Sequence, residues 1–110
     1  MRIAMPVVNG ELATHFGHAS QFLFIDTDAG AITGSQPATP PGHAPGVLPA
    51  WLKASGVDVV LTGGMGHRAQ ALFEQAGVRV ICGIPAGDPT AVVNDFLANS
   101  LQTGENPCAH

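Results

Sequence analysis

The feature that most constrains this chain is the stretch from Val57 to Arg68, which reads Val-Asp-Val-Val-Leu-Thr-Gly-Gly-Met-Gly-His-Arg. Its apolar run Val59–Leu61 is typical of a strand that is buried on both faces. The glycine-rich segment that follows leaves the turn almost without side chains. From His67 onward the apolar residues recur at helical spacing. A strand, a glycine turn and a helix favour either a tight connection or a site where backbone N–H groups bind an anion.

The composition limits the ligands that the chain can bind. It has 110 residues, enough for one domain with a single core, and a net charge of −4 with only four Lys and Arg residues. A nucleic-acid-binding protein normally carries a basic surface, so we expect no nucleic acid as a partner. We find no apolar run of membrane-spanning length and no signal-like segment, which predicts a cytoplasmic protein without membrane contact.

Hydrophobic periodicity and turn residues predict the element order β-β-β-α-β-α-β-α. The predicted strands cover residues 2–8, 21–28, 31–36, 59–61 and 78–82, and the predicted helices cover residues 46–55, 67–76 and a segment starting at Pro89 with Asp88 as its cap. This order predicts an α/β fold of three layers, in which about three helices flank a mixed sheet of five strands, as in ribonuclease-H-like folds. The predicted domain covers residues 1–102, and residues 103–110 lack the apolar side chains that would hold them to it, which predicts a flexible tail.

Histidines are unusually frequent in a chain with so few charges. The carboxyl ends of parallel strands meet at one edge of a sheet, so the loop after the first strand, the glycine turn and the turn after residue 82 should lie together there. The proline-rich segment 37–49, predicted to be irregular, could reach over the same edge. Imidazole binds Fe, Cu, Zn and Ni, and thiolate suits softer metals. The candidate metal ligands are His15, His18, His43, His67, Cys108 and His110.

Several other functions can be weighed from the residues alone. A nuclease of the ribonuclease H type needs carboxylates around two Mg²⁺ ions, usually starting on the first strand, and that strand has none. Cys82 is expected to be a core residue, and no Ser or Cys has an evident His/Asp partner for nucleophilic catalysis. Two alternatives stay open. One is a small phosphate-substrate enzyme that uses the glycine turn and His15, and the other is a regulatory module that binds a partner.

Three motifs occur in an order that is found in one protein family. They are His15-Phe16-Gly17, the Pro/Gly loop with His43, and Gly63-Gly64-Met65-Gly66 followed by Arg68-Ala69. Together they resemble the dinitrogenase iron–molybdenum cofactor biosynthesis family over about residues 1–100. That family includes nitrogenase accessory proteins and the small orange-protein type. Two positions depart from it in a direction that favours metal binding, because His18 stands where many members have Arg and His67 where a non-ligand is common.

The resemblance implies a ribonuclease-H-like fold without nuclease activity. It implies a non-catalytic protein that binds or carries an iron- and/or molybdenum-containing sulfide cluster or its precursor, and some relatives hold a molybdenum–copper cluster. It further implies a ParA/MinD-like ATPase as a partner, and we expect a monomer or a weak homodimer. The residues expected to contact the anionic core of the cluster are Gly17, Gly63, Gly64, Met65, Gly66 and Arg68, beside the six candidate metal ligands.

Overall fold

The computed structural model describes residues 1–105, apart from the side chain of His18. It contains six strands and three α-helices within these residues. The strands are β1 (Arg2–Val8), β2 (Glu11–Leu12), β3 (Gln21–Asp28), β4 (Ala31–Ala38), β5 (Val59–Leu61) and β6 (Arg79–Ile81). The helices are α1 (Val47–Ala54), α2 (His67–Ala76) and α3 (Pro89–Leu97), and a 3-10 helix covers Phe16–His18. Every strand and helix that the sequence predicts is present, and β2 is additional.

The sheet has the strand order β4-β3-β1-β5-β6, with β2 paired to the end of β1. β1 is antiparallel to β3 and parallel to β5, and β5 is parallel to β6. The carboxyl ends of β1, β5 and β6 therefore lie at one edge of the sheet, which we call the carboxyl edge. The antiparallel and parallel halves of the sheet were both predicted from the element order.

Two helices, α1 and α2, cover one face of the sheet, and α3 covers the other. Alternate residues of β1 point to opposite faces, so that Ala4 packs with α1 and α2 while Ile3 and Met5 pack with α3. On the α1–α2 face the rings of Phe22 and Phe24 lie 5.5 and 5.6 Å from the ring of Trp51. The result is a three-layer α/β fold with one apolar cluster on each side of the sheet. None of the helices in the described part of the chain is long and apolar enough to cross a membrane.

Two local predictions were wrong. The segment after Gly10 was expected to be a loop, but Glu11–Leu12 forms β2, because Asn9 and Gly10 both adopt positive φ and turn the chain back onto β1. The irregular segment was expected to start at Pro37, but β4 continues to Ala38. Proline is tolerated there because β4 is an edge strand, on which one N–H faces away from the sheet.

An ion pair lies at the end of the sheet that is opposite the carboxyl edge. The Arg2 guanidinium donates two hydrogen bonds to the carboxylate of Asp26, at 2.9 and 3.1 Å, and a third to the carbonyl of Ser55 at 3.0 Å. The hydrogen bond from Arg2 lowers the pKa of Asp26, and the same bond raises the pKa of Arg2. One of the few positive charges in the chain is thus used far from the carboxyl edge.

Candidate functional site

A cavity of about 280 Å³ opens on the α1–α2 face, near the carboxyl edge. Three segments that are distant in sequence form it: the 3-10 helix with Phe16 and Gly17, the loop that leads into α1, and the first turn of α2. Its lining combines His43 and Arg68 with apolar walls. The other lining residues are Ala44, Pro45, Gly46, Leu48, Pro49, Gly66, Ala69 and Leu72. We refer to it as the α1–α2 cavity.

The 3-10 helix is held in place by the glycine turn. His15 pairs with Gly64 as if the two belonged to parallel strands. The N–H of Gly64 donates to the carbonyl of Thr14 at 2.7 Å, and the N–H of Phe16 donates to the carbonyl of Gly64 at 2.8 Å. This short ladder fixes the ring of Phe16, which packs edge-on against Phe73 of α2. The wall of the cavity is therefore positioned by backbone hydrogen bonds.

The glycine turn makes a tight connection, which is one of the two roles expected for it. A Cβ on Gly63 would lie 2.8 Å from the carbonyl oxygen of Thr14, so only glycine allows this approach. Gly63 and Gly64 are both buried, and the N–H of Gly64 is used by Thr14. The carbonyl of Gly63 accepts a hydrogen bond from the N–H of Gly83 at 2.5 Å. The backbone N–H groups that could bind an anion therefore lie further along the chain, at the start of α2.

The N-terminus of α2 presents positive electrostatic potential to the α1–α2 cavity. Its N-cap is Gly66, and no side chain caps the helix, so the first-turn N–H groups receive no side-chain acceptor from the described residues. Arg68, an exposed residue, lines the cavity from the same turn. By contrast, Asp88 caps α3 by accepting a hydrogen bond from the N–H of Ala91 at 3.1 Å. Of the two helices, only α2 has a first turn that is open to an external anion.

The loop that carries His43 is anchored at both ends. Gln21 donates a side-chain hydrogen bond to the hydroxyl of Thr39 at 2.9 Å, and the N–H of Val47 donates to the carbonyl of Ala44 at 3.0 Å. His43 lies between these two anchors, exposed to solvent at the mouth of the cavity. The segment predicted to be a functional loop thus delivers its histidine to the same place as Gly17, Gly66 and Arg68.

Two of the other histidines, His15 and His67, are not among the described residues that line this cavity. His15 lines a separate cavity of about 470 Å³ together with Glu11 and Thr14, and His67 is exposed at the start of α2. His18 ends the 3-10 helix, and its side chain lies outside the description. Within the described part of the chain, no group of three or more His, Cys, Asp and Glu residues is arranged to hold a metal ion. His15, His43 and His67 alone therefore do not make the expected rim of metal ligands.

Met65 and Cys82 both pack in or against the core of the α1–α2 face. Met65 is only 1% exposed and packs in the core of the α1–α2 face, which leaves no open path from its side chain to a ligand. Cys82 packs against the same core as expected, although it is partly exposed. Cys108 and His110 lie outside the described residues. The walls formed by Pro45, Pro49 and Leu72 were not predicted as site residues, since apolar side chains on a helix or loop carry no signal of a cavity.

The comparison with known families decides what kind of protein this is. Residues 1–99 match the family described as dinitrogenase iron-molybdenum cofactor. The chain belongs to this family. Membership relates its role to the biosynthesis or binding of the iron–molybdenum cofactor, and it confirms the resemblance that the motifs predicted.

Individual relatives match over most of their length. MJ0580, an uncharacterized protein of Methanocaldococcus jannaschii, is 31% identical over 85 residues, which are 73% of this chain and 72% of that protein. The crystal structure of PH0822 is 30% identical, has a TM-score of 0.87, and the match covers 94% of this chain and 96% of that one. The apo form of the orange protein from Desulfovibrio gigas is 24% identical with a TM-score of 0.76, covering 96% and 94%. The similarity to the orange protein shows that the two chains share a fold.

Proposed function

We propose that this protein is a non-catalytic binder or carrier of an iron- and/or molybdenum-containing sulfide cluster or its precursor. The observation that carries the proposal is the α1–α2 cavity. It unites His43, Gly17, Gly66 and Arg68, four residues that the family motifs indicated, at the N-terminus of α2. The ribonuclease-H-like classification of the three-layer fold is part of the same proposal.

The chemistry of the cavity suits an anionic cluster with a soft surface. The chain is acidic, with a net charge of −4, so an anion needs a local source of positive potential. Arg68 and the uncapped first turn of α2 supply it together. The apolar walls from Phe16, Leu48 and Leu72 weaken the screening of these charges, and they favour weakly hydrated sulfide over strongly hydrated oxide groups.

The possible metal ligands in the described residues favour the binding of a preassembled cluster. The described residues contain no group of three or more protein ligands that would bind a bare metal ion. A cluster that brings its own sulfide ligands needs only charge, hydrogen bonds and one imidazole, which His43 can supply. We therefore expect the protein to take up a finished thiometallate rather than to build a cluster from free ions.

The test is anaerobic purification without an affinity tag, followed by elemental analysis for Mo, Fe, Cu and Zn and titration with tetrathiomolybdate. We expect stoichiometric metal or saturable uptake, with sulfide-type visible absorption. Arg68→Gln should weaken the binding of tetrathiomolybdate about tenfold, the size of one lost charge-assisted hydrogen bond. His43→Ala should weaken it as well. The matched controls are Lys53→Gln and Arg79→Gln, since both residues are basic and exposed and neither lines the cavity.

The result would contradict the proposal if the metal-free protein failed to bind tetrathiomolybdate, or if all four variants bound it equally well. Partner affinity that is the same with and without metal would then support a regulatory module, for which the resemblance suggests a ParA/MinD-like ATPase. Turnover of phosphorylated substrates would instead support the small-molecule enzyme. Neither alternative is favoured by a particular contact in the described residues.

A further inference from the structure

The β6 edge, which we define as the open side of Arg79–Ile81, has the properties of a docking site for an extended peptide. Within residues 1–105, β6 pairs with β5 and with no strand on its other side. The N–H of Arg79 donates to the carbonyl of Asp58, and the carbonyl of Ile81 accepts from the N–H of Thr62, each at 3.0 Å. Successive residues of a strand direct their backbone groups to opposite sides. The N–H and carbonyl of Val80 therefore face the open side.

A groove of about 330 Å³ runs along the β6 edge on the α3 face of the sheet. Arg79 lies at one end of it, with its guanidinium carbon 5.7 Å from the ring centre of Phe96. Ile81, Phe96 and Leu101 make the floor apolar. Arg79 makes no ion pair with any described residue. This groove suits one apolar and one acidic side chain.

A second groove, of about 210 Å³, lies on the opposite face of the same edge. Val78 and Val80 form its apolar part, while Glu74 and Gln70 of α2 form its polar part. Glu74 is exposed, and it too makes no ion pair within the described residues. This groove suits a basic side chain with an aliphatic stem.

The other edge of the sheet is protected from such pairing. β4 carries Pro37 and a register shift opposite Asp26 and Thr27, and both features discourage the addition of a further strand. β6 has neither feature. The two edges therefore differ in their readiness to pair, even though both are open in the described residues.

We propose that the β6 edge binds an extended segment of a partner protein by strand addition. The partner residue opposite Val80 is basic and faces Glu74, and its two neighbours, one apolar and one acidic, enter the groove beside Arg79. Backbone hydrogen bonds to Val80 provide affinity, and the opposite charges on the two faces set the direction and the sequence of the peptide. This inference does not depend on cluster binding, because the β6 edge shares no lining residue with the α1–α2 cavity.

The test uses the full-length protein, labelled with ¹⁵N, and the probe peptide acetyl-Ser-Thr-Leu-Lys-Glu-Thr-Ser-amide. We expect saturable chemical-shift changes of the amides of residues 79–82 during the titration. The control peptide has Lys and Glu exchanged and should bind about tenfold more weakly, because both charge pairs become repulsive. In the double variant Glu74→Lys/Arg79→Glu this preference should reverse. The variant Glu11→Lys/Lys53→Glu, which makes the same charge changes elsewhere, should keep the original preference.

Three outcomes would overturn the proposal. The first is the absence of shift changes at β6 with millimolar peptide. The second is equal binding of the two peptides by the wild-type protein, which would exclude recognition by Glu74 and Arg79. The third is binding at β4 or at the α1–α2 cavity in place of β6. The variants are compared by their amide spectra, so that loss of fold is distinguished from loss of binding.

Discussion

At the scale of single residues, Gly63 links the glycine turn to the loop that carries the site. Gly63→Ala should lower the free energy of unfolding by about 1–3 kcal/mol, because its Cβ would overlap the carbonyl oxygen of Thr14 and the surroundings would have to shift. Urea denaturation measures this change. Gly34→Ala is the matched control, since its Cβ would meet no atom within 4 Å, and it should change stability by less than about 1 kcal/mol. Equal effects of the two substitutions would contradict the assigned role.

The residues that could be predicted from the sequence are those whose role is local. His43 was expected from the proline-rich segment around it and Arg68 from the resemblance to the family, and both line the α1–α2 cavity. The requirement for glycine at position 63 comes from the backbone of Thr14, which is close in space and distant in sequence, so the local pattern left a tight connection and an anion site both open. The burial of Met65, which was expected to contact a cluster, likewise depends on packing between elements.

At the scale of elements, α2 lacks the side-chain cap that α3 has. Gly66→Asp should therefore have opposite effects on stability and on ligand binding. Gly66 has an extended backbone that suits a cap, and a new Cβ there meets no atom within 4 Å. We expect the carboxylate to stabilise the helix by about 0.3 kcal/mol, because glycine is itself an acceptable N-cap. It should also reduce tetrathiomolybdate uptake, because a negative side chain then occupies the first-turn N–H groups.

Thermal unfolding and tetrathiomolybdate titration of this variant check both effects. Gly66→Ala is the control, because it adds a Cβ without an acceptor and should leave uptake close to that of the wild type. A fall in stability together with normal uptake in Gly66→Asp would contradict the view that this turn is the anion-binding end of the cavity.

The elements themselves were largely predictable, because apolar periodicity and helix signals follow directly from backbone geometry. β2 escaped notice since a two-residue strand is too short to show alternation. Pro6 lies within β1, opposite Phe22 of β3. Its place could not be inferred locally, because the last pair that β1 makes with β5 is at Ala4, and only the three-dimensional register shows this.

At the scale of the whole molecule, the end of the sheet opposite the site contributes a pH-dependent part of the stability. The hydrogen bond from Arg2 lowers the pKa of Asp26 below its ordinary value of 3.8, so the unfolded chain takes up this proton more readily than the folded one. The ion pair therefore contributes its full stabilisation at a pH above the ordinary pKa of the carboxyl group. This stabilisation is lost as the pH falls through the lower pKa that Asp26 has in the folded state.

Asp26→Asn should lower the free energy of unfolding at neutral pH by less than about 1 kcal/mol, since the pair is partly exposed. The difference from the wild type should shrink as the pH falls below the ordinary carboxyl pKa of 3.8. Urea denaturation over this range measures it. Asp95→Asn provides the comparison, because Asp95 is exposed and makes no ion pair within the described residues. A difference that grows on acidification would contradict the assignment.

The three-segment construction of the α1–α2 cavity has a mechanical consequence. A ligand held there touches the chain near positions 16, 43 and 68 at once, and so it acts as a non-covalent cross-link between these three segments. At a free concentration of about one hundred times its dissociation constant, the ligand would add about 2.7 kcal/mol to the free energy of unfolding. Ligand binding would then determine how long the protein persists, since the ligand-free form unfolds and is degraded sooner than the ligand-bound form.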